Sequence, residues 1–242
     1  MLLVRSHPTL AGVLTGLGTS IKFYPAALTL SVGGRQWLRF AGATFATAAT
    51  VLAVSFIPFG SPFQYVTRVL LPVAAGSAGG TKDCFQNSTP LLFSRLVGGE
   101  PFTRVTASGV WTTVAMVPWH LPSLAHVLSY LTIGALVAAT VWASRRSGWA
   151  QPYSMSLAFS LGALIPGDVY TYQFIAVLPL ALVLLLGAVE RHRWLIVAVA
   201  GLAVLTFESS PCALLVPGLW TIAGLALFAA AAIEAPRFRN GV

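Results

Sequence analysis

Long apolar runs separated by short polar segments dominate the chain. A helix needs about 20 apolar residues to cross the hydrocarbon core of a bilayer. Because that core offers no water to the backbone N–H and C=O groups, each run is predicted to be helical. The predicted membrane segments are residues 40–57, 124–143, 152–165, 169–189, 194–207 and 214–233.

The first apolar run, residues 10–32, differs from the others because Lys22 lies in its middle. If this run crossed the membrane once, Arg5 and His7 would lie outside, against the tendency of basic residues to remain on the cytoplasmic side. A re-entrant segment that turns at residues 22–25 would keep both flanks inside. We therefore predict two half-length segments that meet near Lys22.

Gly12 and Gly16 lie four residues apart in this first run. Small residues at that spacing allow a second membrane helix to approach closely. We expect a neighbouring helix to pack on this face.

Basic residues between the apolar runs indicate the orientation. Cytoplasmic loops of membrane proteins carry an excess of Lys and Arg, and the basic clusters alternate consistently if all of them lie inside. Residues 58–122 then form one long outer loop, with tight outer turns at residues 166–168 and 208–212. The inner clusters are Arg35 with Arg39, Arg145 with Arg146, Arg191 with Arg193, and Arg237 with Arg239.

The predicted fold is all-α, a polytopic transmembrane helix bundle of about six or seven membrane segments that form a single integral membrane domain. Residues 1–57 hold the first segments, residues 58–122 the outer loop, and residues 123–242 the C-terminal helices. The outer loop is amphipathic in patches and is expected to lie on the membrane surface as short helices. These patches are residues 69–75, 91–97 and 110–117.

Composition supports a membrane protein and excludes a soluble domain. Of 242 residues, 57% are hydrophobic and 8% are charged, whereas about 25% are charged in an ordinary soluble domain. The net charge of +8 comes largely from the short basic clusters, so no nucleic-acid partner is expected. No CxxC pair or His/Cys cluster occurs, so neither a metal nor a cofactor is predicted. Twelve arginines against two lysines indicate GC-rich coding, typical of actinobacteria, and hence a multi-pass protein of a bacterial plasma membrane.

Lys22 is the sharpest candidate for chemistry. A charged side chain at membrane depth is costly, so it normally faces a cavity, a partner or a ligand. An ammonium group there suits a phosphate or another anion. Alternatively, the side chain could extend to the interface, which is difficult from a straight helix because Lys22 lies about a dozen residues from either flank.

Polar residues of the outer loop form a second candidate group. Gln86, Asn87 and Ser88 are followed by Arg95. Amide side chains and an arginine on one face of a short helix could bind sugar hydroxyls and a phosphate. A solvated polar stretch is the more common explanation of such a sequence.

Other features also fall on the predicted outer side. Asp168, with Tyr170 and Tyr172 behind it, could face a site or cap the helix that follows. Cys84 and Cys212 could form a disulfide there, although nothing in the sequence brings them together.

Several short motifs follow one another in a recognisable order. A helix rich in small residues leads into K-x-Y-P, a basic loop follows, then Q-N-S before R-L in the outer loop, and finally L-I-P before V-L-P. In this order and spacing they resemble glycosyltransferase family 87, whose members are multi-pass enzymes of the GT-C type that use polyprenyl-phosphate sugars. The motifs are at residues 22–25, 35–39, 86–88, 95–96, 164–166 and 177–179.

The resemblance implies transfer of a hexose, such as mannose, from a polyprenyl-phosphate sugar to a lipid or glycan acceptor of the cell envelope. The reaction would take place on the outer side of the membrane, among membrane lipids. Lys22 and Arg95 would hold the donor phosphate. The sugar cavity would be lined by Tyr24, Gln86, Asn87, Asp168, Tyr170 and Tyr172.

Two departures from the family's pattern affect this expectation. The outer turn at residues 166–172 lacks the Trp and His of the family. GT-C enzymes also place a catalytic carboxylate in their first outer loop, and the family's additional length precedes the K-x-Y-P element. We therefore expect the chain to correspond to the C-terminal portion of such an enzyme, without that carboxylate and with no catalytic residue assigned.

Two other functions are consistent with the same residues. In a small transporter component, Lys22 and Asp168 would be charges along the transport pathway. In a catalytically inactive membrane protein, substitution of these polar residues would change stability alone.

Overall fold

In the computed structural model, residues 2–22, 24–56, 61–71, 83–84, 86–105, 109–149, 151–166, 171–190, 192–208 and 218–240 are described. These residues are mostly helical and include one small β-hairpin. Helices α1 to α5 are Leu2–Ser6, Pro8–Ile21, Gln36–Phe56, Pro62–Tyr65 and Thr89–Leu96. Helices α6 to α10 are Pro122–Ser147, Pro152–Leu164, Leu178–Glu190, Trp194–Glu208 and Leu219–Glu234. Strands β1 and β2 are Phe102–Val105 and Trp111–Val114; 3-10 segments are Tyr24–Ser31, Thr171–Val177 and Ala235–Asn240, and a π-helical turn is Val66–Leu70.

Among the described residues, three helical stretches are long and apolar enough to cross a membrane: Gln36–Phe56, Pro122–Ser147 and Leu219–Phe238. The first has 21 residues and is therefore about 31 Å long, close to the roughly 30 Å of a bilayer's hydrocarbon core. Phe174–Glu190 and Trp194–Phe207 are shorter apolar helices. The predicted all-α membrane helix bundle is confirmed.

The first apolar run folds back on itself. Helix α2 ends at Ile21, and the 3-10 segment Tyr24–Ser31, here called the return segment, leads back to the start of α3. Helix α2 and the return segment together are here called the hairpin, as distinct from the β-hairpin of β1 and β2. The side-chain amide of Gln36 donates to the carbonyl oxygen of Arg5 at 3.1 Å. The two ends of this hairpin therefore lie side by side, as the predicted turn at residues 22–25 requires.

Helices α2 and α3 pack closely through glycine. Gly12 lies against the main chain of Phe40, and a Cβ atom at Gly16 would lie 2.5 Å from the carbonyl oxygen of Thr44. Both contact positions advance by four residues in the same direction, so α2 and α3 run parallel. The expected neighbour of Gly12 and Gly16 is therefore α3.

Helix α7 lies at the centre of the larger core. Its Leu157, Leu161 and Leu164 are almost fully buried, and it packs against the return segment, α6, α8 and α10. Apolar side chains on the outer surface of the bundle are exposed, among them Leu195 and Leu202. An apolar exterior around a packed interior is the arrangement that a lipid environment favours.

One end of the bundle collects the basic clusters. Glu234 at the end of α10 is buried and forms ion pairs with Arg193, at 3.0 Å, and with Arg237. The hydroxyl of Tyr153, at the start of α7, donates to the carbonyl oxygen of Ala231. These contacts hold the α8–α9 loop, the start of α7 and the C-terminal segment together, as expected if the basic loops share one side of the membrane.

The outer loop only partly follows the prediction. Residues 91–97 correspond to α5, but the helix predicted at residues 110–117 is wrong, because β2 pairs there with β1 in an antiparallel hairpin. The Trp-Thr-Thr-Val sequence of β2 is aromatic and β-branched, and such residues favour strands. Of the predicted patch at residues 69–75, residues 69–71 are helical, the first two within the π-helical turn, and residues 72–75 lie outside the described residues.

Candidate functional site

Lys22 lies at the tip of the hairpin. It directly follows α2 with an extended backbone, and its N–H donates to the carbonyl oxygen of Gly18 at 2.9 Å. Continuing the parallel register of α2 and α3 places Lys22 level with Thr50, about 9 Å before the end of α3. The lysine is therefore within the apolar layer, toward the end opposite the basic clusters, and not midway along a straight helix.

The return segment brings the same tip toward the outer end of α7. Gly33, just after the return segment, lies against the ring of Trp149, just before α7. Leu28 and Met155 pack against the same apolar cluster. Because the return segment ends where α7 begins and the two pack against each other, they run in opposite directions. Tyr24, the first residue of the return segment, therefore lies near the outer half of α7.

The remaining predicted residues of this region are described only in part. Asp168, with its cap and site interpretations, and Tyr170 lie outside the described residues. Tyr172 lies in the 3-10 segment Thr171–Val177, which packs against α7.

Arg95 organises a compact block in the outer loop. Its side chain is 1% exposed, and its two terminal nitrogens donate to the carbonyl oxygens of Gln86, at 2.9 Å, and Asp83, at 2.8 Å. The guanidinium carbon lies 5.0 Å from the centre of the Phe102 ring, an arrangement that favours a cation. The guanidinium group therefore fixes the path of the main chain that leads to Asn87.

The amides beside Arg95 are buried, so the interpretation of residues 86–88 as a solvated stretch is wrong. They also precede the short helix instead of lying on it, because Ser88 is the N-cap of α5 and accepts from the N–H of Leu91 at 3.3 Å. Asn87 donates to the carbonyl oxygen of Cys84 at 3.4 Å. Its Oδ1 is buried and has no hydrogen-bond partner among the described residues, a condition that costs about 1–3 kcal/mol unless a ligand or water fills it.

Leu92 of α5 lies against Gly218, the N-cap residue of α10, while the helix itself packs against α6. A Cβ atom at Gly218 would lie 2.6 Å from Cδ1 of Leu92, which is one helical turn from Thr89. Thr89 Oγ1, Trp220 Nε1 and Thr221 Oγ1 are buried in this part of the described chain, and none has a hydrogen-bond partner there. The outer end of the bundle thus holds several buried polar atoms that have no hydrogen-bond partner among the described residues.

Little in the sequence indicated a role for Thr89, Trp220 and Thr221. A threonine at a helix start and a tryptophan within an apolar run are ordinary in a membrane protein. The available signal was the position of Trp220 and Thr221 just after an outer turn, where polar atoms can meet those of another loop.

Cys84 is buried and disulfide-bonded. The chain has one other cysteine, Cys212, which lies outside the described residues. Disulfides persist in oxidising compartments, so this bond agrees with an outer position for the block around Arg95.

The profile of Glycosyltransferase family 87 matches residues 1–165. This range contains the hairpin, the block around Arg95 and α6 and α7, and it covers more than half of the chain. The chain belongs to glycosyltransferase family 87. Searches of curated proteins and of solved structures found no match.

Membership in glycosyltransferase family 87 confirms the resemblance found in the short motifs. It makes the chain a member of a family of membrane glycosyltransferases, which act on a sugar donor and an acceptor. Lys22, Tyr24, Asn87 and Arg95 lie within the matched range. Asp168, Tyr170 and Tyr172 follow it.

Proposed function

We propose that this family 87 protein transfers a hexose, such as mannose, from a polyprenyl-phosphate sugar to a lipid or glycan acceptor of the cell envelope. The reaction is placed on the outer side of a bacterial plasma membrane. The observation that carries the proposal is the position of Lys22, a cation at the tip of a hairpin that reaches into the apolar layer toward the outer end of the bundle.

In the proposed reaction, an acceptor hydroxyl attacks the anomeric carbon of the sugar, and the bond from that carbon to the phosphate oxygen breaks. The bonding electrons leave with the phosphate, and a base removes the hydroxyl proton. Lys22 stabilises the negative charge that develops on the departing phosphate, which is most effective where water is excluded. The base is not assigned to a residue.

The outer block supplies contacts to the sugar in this proposal. The free Oδ1 of Asn87 accepts from a sugar hydroxyl, and Gln86 lies beside it. The sequence led us to expect that Arg95 holds the donor phosphate. In this proposal Arg95 instead acts indirectly, because its guanidinium group binds the main chain of the loop that carries Gln86 and Asn87. The other residues proposed to line the sugar cavity are Tyr24, Asp168, Tyr170 and Tyr172.

The test is transfer of labelled hexose from a polyprenyl-phosphate hexose by membranes that contain the protein at its natural full length. Lys22→Ala is expected to lower the transfer rate about 100- to 1000-fold, the usual loss when one charge-stabilising group is removed. Lys22→Arg should retain part of the activity because it keeps the positive charge.

Arg68→Ala is the matched control, because Arg68 is an exposed cation of the outer loop. It is expected to leave the rate unchanged. Equal rates for the wild-type protein and the Lys22→Ala variant, at equal protein levels, would show that Lys22 does not act on the donor phosphate.

A further inference from the structure

A cavity lies at the opposite end of the bundle from Lys22. It has a volume of about 390 Å³ and opens between the base of the hairpin and the C-terminal end of α6. Its walls include the apolar side chains of Leu30 and Val141, and the indole rings of Trp37 and Trp149. Arg145 supplies its one cationic side chain among the described residues.

The two indole rings are held in place by the hairpin. The indole N–H of Trp37 donates to the carbonyl oxygen of Thr29 at 3.1 Å. The ring of Trp149 occupies the space where a side chain at Gly33 would lie. The aromatic walls are therefore set by the fold, while the guanidinium group of Arg145 is exposed.

The cavity lies at the boundary of the apolar layer. Trp37 is the second residue of the membrane-spanning α3, and Arg145 is in the last turn of α6. Tryptophan is enriched at this level of membrane proteins, where lipid headgroups meet the acyl chains. Basic pockets between membrane helices on the cytoplasmic side bind anionic lipid headgroups.

We propose that this cavity binds an anionic phospholipid of the inner leaflet. The guanidinium group of Arg145 binds the phosphate through two parallel hydrogen bonds, and an acyl chain follows Leu30 and Val141. A lipid is favoured over a soluble phosphate ion because the walls are apolar and the cavity lies at the level of the headgroups. The site is separate from the region of Lys22 and does not depend on the proposed sugar transfer.

The test is lipid retention by the purified full-length chain, measured by native mass spectrometry with phosphatidylglycerol or phosphatidylcholine. Wild-type protein is expected to retain phosphatidylglycerol preferentially. Arg145→Gln should weaken that retention about tenfold or more, the loss that corresponds to one charged hydrogen-bonding partner. Retention of phosphatidylcholine should not change.

Arg146→Gln is the matched control, since its guanidinium group lies over the ring of Trp142, 5.8 Å from the ring centre, and it does not line the cavity. It carries the same charge change on the neighbouring residue. Equal losses in the two variants would show only a general attraction of the basic face and would overturn the proposal. Displacement of the lipid by an equal concentration of inorganic phosphate would also overturn it, in favour of a free-anion site.

Discussion

A buried guanidinium group needs hydrogen-bond acceptors, and Arg95 finds them in the main chain. The carbonyl oxygens of Gln86 and Asp83 accept its hydrogens, and the Phe102 ring covers one face of the group. Since these acceptors are backbone atoms, which every residue has, the sequence around Arg95 does not indicate this arrangement. Arg95 therefore acts on the loop geometry and, through it, on Asn87.

Replacement of Arg95 by lysine should destabilise the protein by about 1.5–3 kcal/mol, because one ammonium group cannot reach both carbonyl oxygens in the fork geometry of arginine. The measurement is thermal unfolding of the purified protein in detergent. Arg68→Lys is the control, since Arg68 is exposed, and it should leave the unfolding midpoint unchanged. An unchanged midpoint for Arg95→Lys would mean that the two hydrogen bonds from the guanidinium group do not contribute to stability.

At the level of elements, the hairpin depends on how closely α2 approaches α3. The parallel packing has Gly12 and Gly16 on the α2 side and the main chain at Phe40 and Thr44 on the other. Two antiparallel helices would need only a short loop, whereas a parallel pair requires the return segment to bring the chain back across the same depth. The chain therefore has to turn within the apolar layer, and Lys22 lies at that turn.

Gly16→Ala is expected to destabilise this pair of helices, because the new methyl group would meet the carbonyl oxygen of Thr44. Overpacking of this kind costs about 1–3 kcal/mol, which exceeds the gain of up to about 1 kcal/mol in helix propensity. Gly42→Ala on α3 is the control, since a methyl group there would have nothing within 4 Å. Thermal unfolding should show a lower midpoint for the first variant and an equal or higher one for the second.

For the whole molecule, orientation follows from the ends of the bundle. The ion pairs of Glu234, the bond from Gln36 to Arg5 and the contact of Trp149 with Gly33 all lie at the basic end. The disulfide-bonded Cys84 belongs to the outer loop. The two ends therefore differ in chemistry as they would on the two sides of a membrane.

Single cysteines at two exposed positions test this orientation. Ser123→Cys, at the start of α6, should react with a membrane-impermeant maleimide in intact cells. Ser6→Cys, at the start of the hairpin, should react only after the cells are permeabilised. The wild-type chain is the control and should remain unlabelled without reductant, because the described chain has no free cysteine. Labelling of Ser6→Cys in intact cells would mean that the first segment crosses the membrane once.

Much of this architecture was accessible from the pattern of apolar runs and basic clusters. The unfavourable position of Lys22 in an apolar run, together with the basic N-terminal flank, predicted the hairpin. The strand at Trp111–Val114 was missed because a short apolar stretch does not distinguish helix from strand by periodicity alone. The burial of the polar atoms of Thr89 and Trp220 could not be predicted from the sequence, because Leu92 of α5 and Gly218 at the start of α10 meet only in the folded chain.

The hairpin also imposes an order on biogenesis. Helix α2 has 14 residues, too few for a spanning segment when it first leaves the ribosome. The helix that covers the return segment, α7, is synthesised only after the outer loop and α6. Until α7 has been synthesised, the hairpin lacks this packing partner, and the partly assembled chain is accessible to the cell's quality-control proteases. Substitutions that weaken its packing should reduce the amount of protein in the membrane more than the rate per molecule.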